Sequence, residues 1–172
     1  GFILEEGFPV SELARVLESM RAAAQEAGVI FVAGDTKVAE KGKADRLFIN
    51  TTGIGWIPSG RSIRGQNAQV GDQVIISGPI GDHGMAVLTA RGDLGLESEI
   101  RSDVAPLNHM IATLLEAAPH VHVLRDPTRG GLGTTLNEIA GQSAVCIEVD
   151  ETTVPVNLPV QTACELLGFD PL

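Results

Sequence analysis

The sequence contains no tyrosine, one tryptophan and five phenylalanines in 172 residues, so its core has to be built from aliphatic side chains. Cysteine occurs twice, as Cys146 and Cys164, each beside apolar neighbours. Two cysteines make no disulfide framework; they read as reduced, buried and inert thiols of a cytoplasmic protein. No apolar run approaches the ~18 residues of a membrane span, and no signal-peptide pattern is present. Basic residues are scarce, with 12 Lys and Arg against 22 Asp and Glu, for a net charge of −10. A general nucleic-acid binder or a polybasic membrane adaptor needs a positive footprint, so no nucleic-acid and no membrane partner is expected. Nucleotides remain open, because backbone amides and one or two cations can hold a phosphate.

With 44% hydrophobic and 20% charged residues the chain is globular, and its length suits one ordinary domain or two small ones. It opens at Gly1 on the apolar run Phe2-Ile3-Leu4 and stops after Gly168-Phe169-Asp170-Pro171-Leu172. Both ends read as cuts inside a longer protein.

Apolar residues at three- and four-residue steps (Leu13, Val16, Leu17, Met20, Ala24, Ala27) predict a helix over 9–27, with Gly28 to close it. The run Val29 to Ala33 reads as a buried strand, 37–46 as a charged loop or lid, and Leu47 to Ile57 as a second strand. Pro58 to Gln69 is polar and glycine-bearing, the best position for a linker between domains. Beyond it, strands are expected at 73–77, 120–124 and 144–149. Helices are expected from about Gly84, over 100–118 with a restart at Pro106, over 132–140, and over 160–167. Strands alternating with helices make the class α/β or α+β. The Glu5-Glu6 pair and the acidic stretch 94–103 read as solvated surface.

Three loops share one design: an apolar segment, then Gly, Asp and small residues, then a charge or a helix start. Glycines let backbone approach a ligand, helix-terminal amides face an anion, and carboxylates can hold Mg²⁺ bridging to phosphate. Gly34-Asp35-Thr36-Lys37 offers a turn, a carboxylate, a hydroxyl and a cation. It reads either as a Mg²⁺–phosphate site or as a polar turn closed by local bonds. Asp126-Pro127-Thr128-Arg129-Gly130-Gly131 puts two glycines before a helix, beside a hydroxyl and a guanidinium. It reads as an anion nest or as a turn with Asp126 or Thr128 as helix cap. Neither the Walker nor the dinucleotide pattern occurs. Gly81-Asp82-His83-Gly84 offers an acid–base pair or a nucleotide contact through His83, or simply a helix start with an exposed histidine. His109, His120 and His122 show no metal-ligand spacing and read as structural.

Gly34-Asp35-Thr36-Lys37-Val38, Phe48-Ile49-Asn50-Thr51-Thr52-Gly53-Ile54-Gly55, Ile80-Gly81-Asp82-His83-Gly84 and Asp126-Pro127-Thr128-Arg129-Gly130-Gly131-Leu132 together resemble the HypE-type hydrogenase expression/formation proteins. These belong to the ATP-binding superfamily of aminoimidazole ribonucleotide synthetase, selenophosphate synthetase and thiamine-monophosphate kinase. The resemblance spans essentially the whole chain. It implies a two-domain α/β fold, with residues 1–57 the second half of an N-terminal ATP-binding and dimerisation domain. Residues 58–69 are then the linker and 70–172 a truncated C-terminal domain.

It further implies a homodimer, the carbamoyltransferase HypF and a HypC–HypD scaffold as partners, and ATP and Mg²⁺ as cofactors. The implied reaction is dehydration of a C-terminal cysteine thiocarboxamide to a thiocyanate, the source of the iron cyanide ligands of [NiFe] hydrogenase. In that frame Asp35 and Lys37 are catalytic, with Asp35 holding the metal. Gly34, Thr36, Asp126, Thr128, Arg129, Gly130, Gly131 and His83 would contact the nucleotide and its phosphates. The family's N-terminal acidic residues and its terminal cysteine are not in this chain, so the piece by itself is expected to be inactive. A small-molecule kinase or synthetase of the same superfamily, and a non-catalytic dimerisation half, are the alternative readings.

Overall fold

The computed structural model describes residues 1–92 and 99–172. These form two compact units, Gly1–Gly60 with Pro106–Leu114, and Arg61–Ala105 with Leu115–Leu172.

In the first unit three strands form a mixed sheet. The central strand β1 (Phe2–Glu5) runs parallel to β2 (Thr36–Ala39) and antiparallel to β3 (Leu47–Ile49). A parallel pair needs a long crossover, and α1 (Val10–Ala27) supplies it. Leu13, Val16, Met20 and Ala24 of α1 lie on its more buried face, whereas Leu17 is exposed. Gly28 closes the helix in the left-handed conformation at φ 65°.

The apolar runs behave differently from their composition. Residues 29–33 form no strand, and Val29, Ile30, Phe31 and Val32 are exposed. Apolar β-branched residues make a strand only where a partner ladder exists, and among the described residues none lies beside this run. The partners of β1 are instead Thr36–Ala39, which the sequence reads as turn and loop, and only the first three residues of 47–57. Gly53 and Gly55 therefore sit beyond the end of β3, in backbone without a ladder.

The second unit carries α2 (Asp82–Arg91), α4 (Gly131–Ser143) and α5 (Leu158–Leu167). The helix α3 (Asn108–Ala117) spans the boundary in sequence. No helix precedes Pro106 among the described residues from 99 on; proline disfavours helical backbone in the residue before it. The acidic stretch 94–103 falls partly outside the described residues. The expected strands at 73–77, 120–124 and 144–149 form no ladder among the described residues, where one isolated parallel bridge joins Ile80 to Val156.

Two aliphatic clusters hold this unit together. One joins Met85, Val160, Ala163 and Cys164; the other joins Ile80, Leu132 and Leu136. No aromatic side chain is among the described buried residues, as the composition requires.

The segment from Arg61 onward is fastened within the second unit. Ser143 Oγ donates to the Gly65 carbonyl at 2.9 Å and accepts from the Ala68 amide at 3.1 Å. The Arg64 amide donates to the His122 carbonyl at 3.1 Å.

Candidate functional site

Asp35, Thr36 and Lys37 are exposed where the chain enters β2. Asp35 Oδ1 accepts from the Thr36 amide at 2.8 Å, the local bond expected of a polar turn, and its other oxygen has no partner among the described residues. Thr36 and Lys37 are strand residues, paired in register with Phe2 and Ile3, rather than loop residues. Lys37 makes no ion pair among the described residues.

One exposed carboxylate with an open oxygen, an adjacent hydroxyl and an unpaired cation suit a Mg²⁺ that keeps most of its waters and reaches phosphate. Among the described residues no group of three His, Cys, Asp or Glu could enclose a metal by itself. Asp35 fits as a contributor, not as a cage.

The second candidate lies at the start of α4. Gly130 at φ 75° is the N-cap residue, and no side chain caps the helix. Asp126 is not the cap, because Arg125 takes its Oδ1 at 2.9 Å, and Thr128 is tied through its amide to the Asp126 carbonyl at 3.2 Å. Arg129 is exposed and makes no ion pair among the described residues. The Gly133 amide is already taken by the Leu172 carbonyl at 3.0 Å. The amides of Gly131 and Leu132 have no acceptor among the described residues, as first-turn helix amides do, although Leu132 is buried.

Asp82 and His83 do not form an acid–base pair. Asp82 is buried at the first turn of α2, where its Oδ1 accepts from Asn157 Nδ2 at 2.8 Å and its Oδ2 has no partner. His83 is exposed and bonds through Nδ1 to Ser102 Oγ at 2.9 Å. Successive helical residues point about 100° apart, which separates the two side chains.

Cys164 is buried, and desolvation followed by the nearby Asp170 charge pushes its thiol up from the ordinary value. Cys146, expected to be buried, is exposed. Its segment alternates, Val145 and Ile147 inward and Cys146 and Glu148 outward, and the sequence gives no sign of which parity wins.

Sequence reading also missed a pair 50 residues apart, for which no local signal exists. His122 Nδ1 lies 2.9 and 3.0 Å from the two carboxylate oxygens of Asp72. The Gln69 amide, then His122, hold the Asp72 carboxyl below its ordinary value of 3.8. A lowered folded value means the stabilisation is complete above the unfolded value and disappears as pH falls through the folded one. Asp72→Asn is therefore expected to lower the melting temperature at pH 6, with the gap to the parent closing as the pH drops below 3.8. A gap that stays constant down to strong acid would contradict the assignment.

Among the described residues no helix is long and apolar enough to cross a membrane. The family models "AIR synthase related protein, N-terminal domain" and "AIR synthase related protein, C-terminal domain" match residues 1–57 and 69–172. The chain is 55% identical over 172 residues to "Carbamoyl dehydratase HypE" of Azotobacter vinelandii, covering all of this chain and 50% of that protein. A solved structure, "Crystal Structure of Hydrogenase Maturation Protein HypE in complex with ATP", is 52% identical with TM-score 0.95, over 100% of this chain and 51% of that one. A second, "Crystal structure of HypE-HypF complex", is 53% identical with TM-score 0.94, over 99% and 56%. The chain thus spans about half the length of the relatives it matches. Matched along nearly all of its length by the two family domains in order, the chain belongs to the AIR synthase related protein family, with an α/β fold.

Proposed function

We propose that this chain is part of a carbamoyl dehydratase of [NiFe] hydrogenase maturation. The observation that carries the proposal is its likeness, over its whole length, to a hydrogenase maturation protein solved with ATP. The full-length protein would use ATP to convert a C-terminal cysteine thiocarboxamide to a thiocyanate. An amide oxygen is a poor leaving group. Phosphorylating it lets it depart as phosphate while the nitrogen gives up its two protons, leaving S–C≡N, ADP and phosphate.

In this reading Asp35 contributes one oxygen to Mg²⁺, and Lys37 meets charge developing on the transferred phosphoryl group. Gly34 and Thr36 line the same turn. Thr128, Arg129 and the amides of Gly131 and Leu132 would orient phosphate oxygens, with Asp126 and Gly130 shaping the loop. His83 is a nucleotide contact, reached without Asp82.

Residues 1–57, 58–69 and 70–172 serve as partial N-terminal domain, linker and C-terminal domain. The protein acts in the cytoplasm as a homodimer. It receives its carbamoyl group from HypF, and the likeness to the HypE–HypF complex supports that partner. A HypC–HypD scaffold takes the product. The experiment is ATP-dependent loss of one water from the carbamoylated full-length protein, read by mass spectrometry.

A further inference from the structure

Glu5 ends β1 and reads in sequence as solvated surface, yet both of its carboxylate oxygens are held by backbone amides far along the chain. Its Oε1 accepts from the Gly42 amide at 2.5 Å and its Oε2 from the Arg46 amide at 3.2 Å. Its own amide donates to the Arg46 carbonyl, and the Glu6 amide to the Ala39 carbonyl, both at 2.8 Å. Both ends of the loop 40–46 thus return to one corner of the sheet. The two amide bonds hold the Glu5 carboxyl below the usual carboxylate range, so the latch is charged at neutral pH.

Arg46 sits in the left-handed region at φ 61°, which a long side chain adopts only where its surroundings hold it. Here they do. Besides the bonds to Glu5, its guanidinium pairs with Glu12 at 2.5 Å and lies 5.7 Å from the centre of the Phe8 ring.

The latch bears on β2, a four-residue edge strand that leaves directly into this loop. Its register sets Lys37 opposite Ile3 and Ala39 opposite Glu5. A slip of one residue would turn Lys37 to the other face of the sheet. Four residues of ladder resist slipping poorly, whereas a loop clasped at its middle and its end does not let the strand move.

We infer that Glu5 is a positioning residue: by clasping the amides of Gly42 and Arg46 it holds the register of β2 and, through it, the place of Lys37. The inference rests on the role proposed for Lys37. It adds a residue outside the phosphate-binding motifs.

The test uses the full-length protein and follows ADP release with ATP as the varied substrate. Glu5→Ala should lower kcat about 10- to 100-fold, the scale of a displacement near 1 Å, with KM for ATP changed by less than about threefold. Glu5→Gln keeps one acceptor oxygen in place and should recover most of the activity. Hydrogen exchange at Gly42 and Arg46 should accelerate in Glu5→Ala. A role confined to stability would lower the melting temperature and leave kcat at 25 °C unchanged. Unchanged kcat in Glu5→Ala, or unchanged exchange at those two amides, overturns the inference. Should Glu5→Ala not fold, a Glu5→Gln protein with full kcat and accelerated exchange at both amides overturns it as well. Full turnover in Lys37→Ala would instead remove the proposed role of Lys37 and leave the latch intact.

Discussion

Lys37→Ala in the full-length protein is expected to lower ATP turnover about 10²- to 10³-fold, the usual effect of removing one charge-stabilising group from a reacting centre. The side chain is exposed on an edge strand, and among the described residues it makes no ion pair. Its removal therefore leaves stability within about 0.5 kcal/mol and the assembly state unchanged. Both follow from a role in charge development rather than in packing. The pairing of β2 with β1 runs through backbone groups, which alanine preserves. Steady-state kinetics with a thermal melt beside them separate the two effects. Near-normal turnover would sink the assignment.

Gly131→Ala is expected to be among the most destabilising single-methyl additions in the chain. Gly131 has φ 66°, and a Cβ there would lie 2.2 Å from the Leu172 carbonyl oxygen, so the Leu172 backbone would have to shift. The left-handed conformation costs an alanine about 1–2 kcal/mol. Displacing the Leu172 segment costs about 1–3 kcal/mol more. Gly133→Ala is the matched control. It lies two residues further along the same helix, with the same carbonyl oxygen at 3.8 Å, an ordinary contact. That change should be neutral or gain a few tenths of a kcal/mol, because alanine has the better helix propensity. Urea denaturation of both variants decides it. Equal midpoints would mean that the Leu172 carbonyl does not lie over the start of α4.

The helices were legible because their signal is local. Steps of three and four residues marked α1 and α5 to within two residues, and Gly28 and Gly168 close them as left-handed residues. Strands were not legible in the same way, because a strand exists only through its partner. Phe2–Glu5 carries no stronger pattern than Val29–Ala33, yet the first pairs on both edges while the second pairs with nothing described. The parity that exposes Cys146 has the same origin. At the candidate site, the motif residues were found by type and order, and their local surroundings then divided them. Asp35 and Lys37 keep free groups for a ligand. Asp82 turns inward to Asn157, and Asp126 is taken by Arg125. Glu5 and the Asp72–His122 pair escaped because their partners are 37 to 50 residues distant in sequence.

In the proposed function the Gly34–Lys37 turn serves phosphoryl transfer to an amide oxygen on the full-length protein's own C-terminal cysteine. The most direct measurement is the mass of the carbamoylated full-length protein before and after addition of Mg-ATP. The expected result is loss of one water together with one ADP formed per cysteine, in the parent but not in Lys37→Ala. ADP formed with no change in the mass of the carbamoylated protein would point to a kinase or synthetase acting on a separate metabolite. No nucleotide effect of any kind would leave only a dimerisation role and overturn the proposed function.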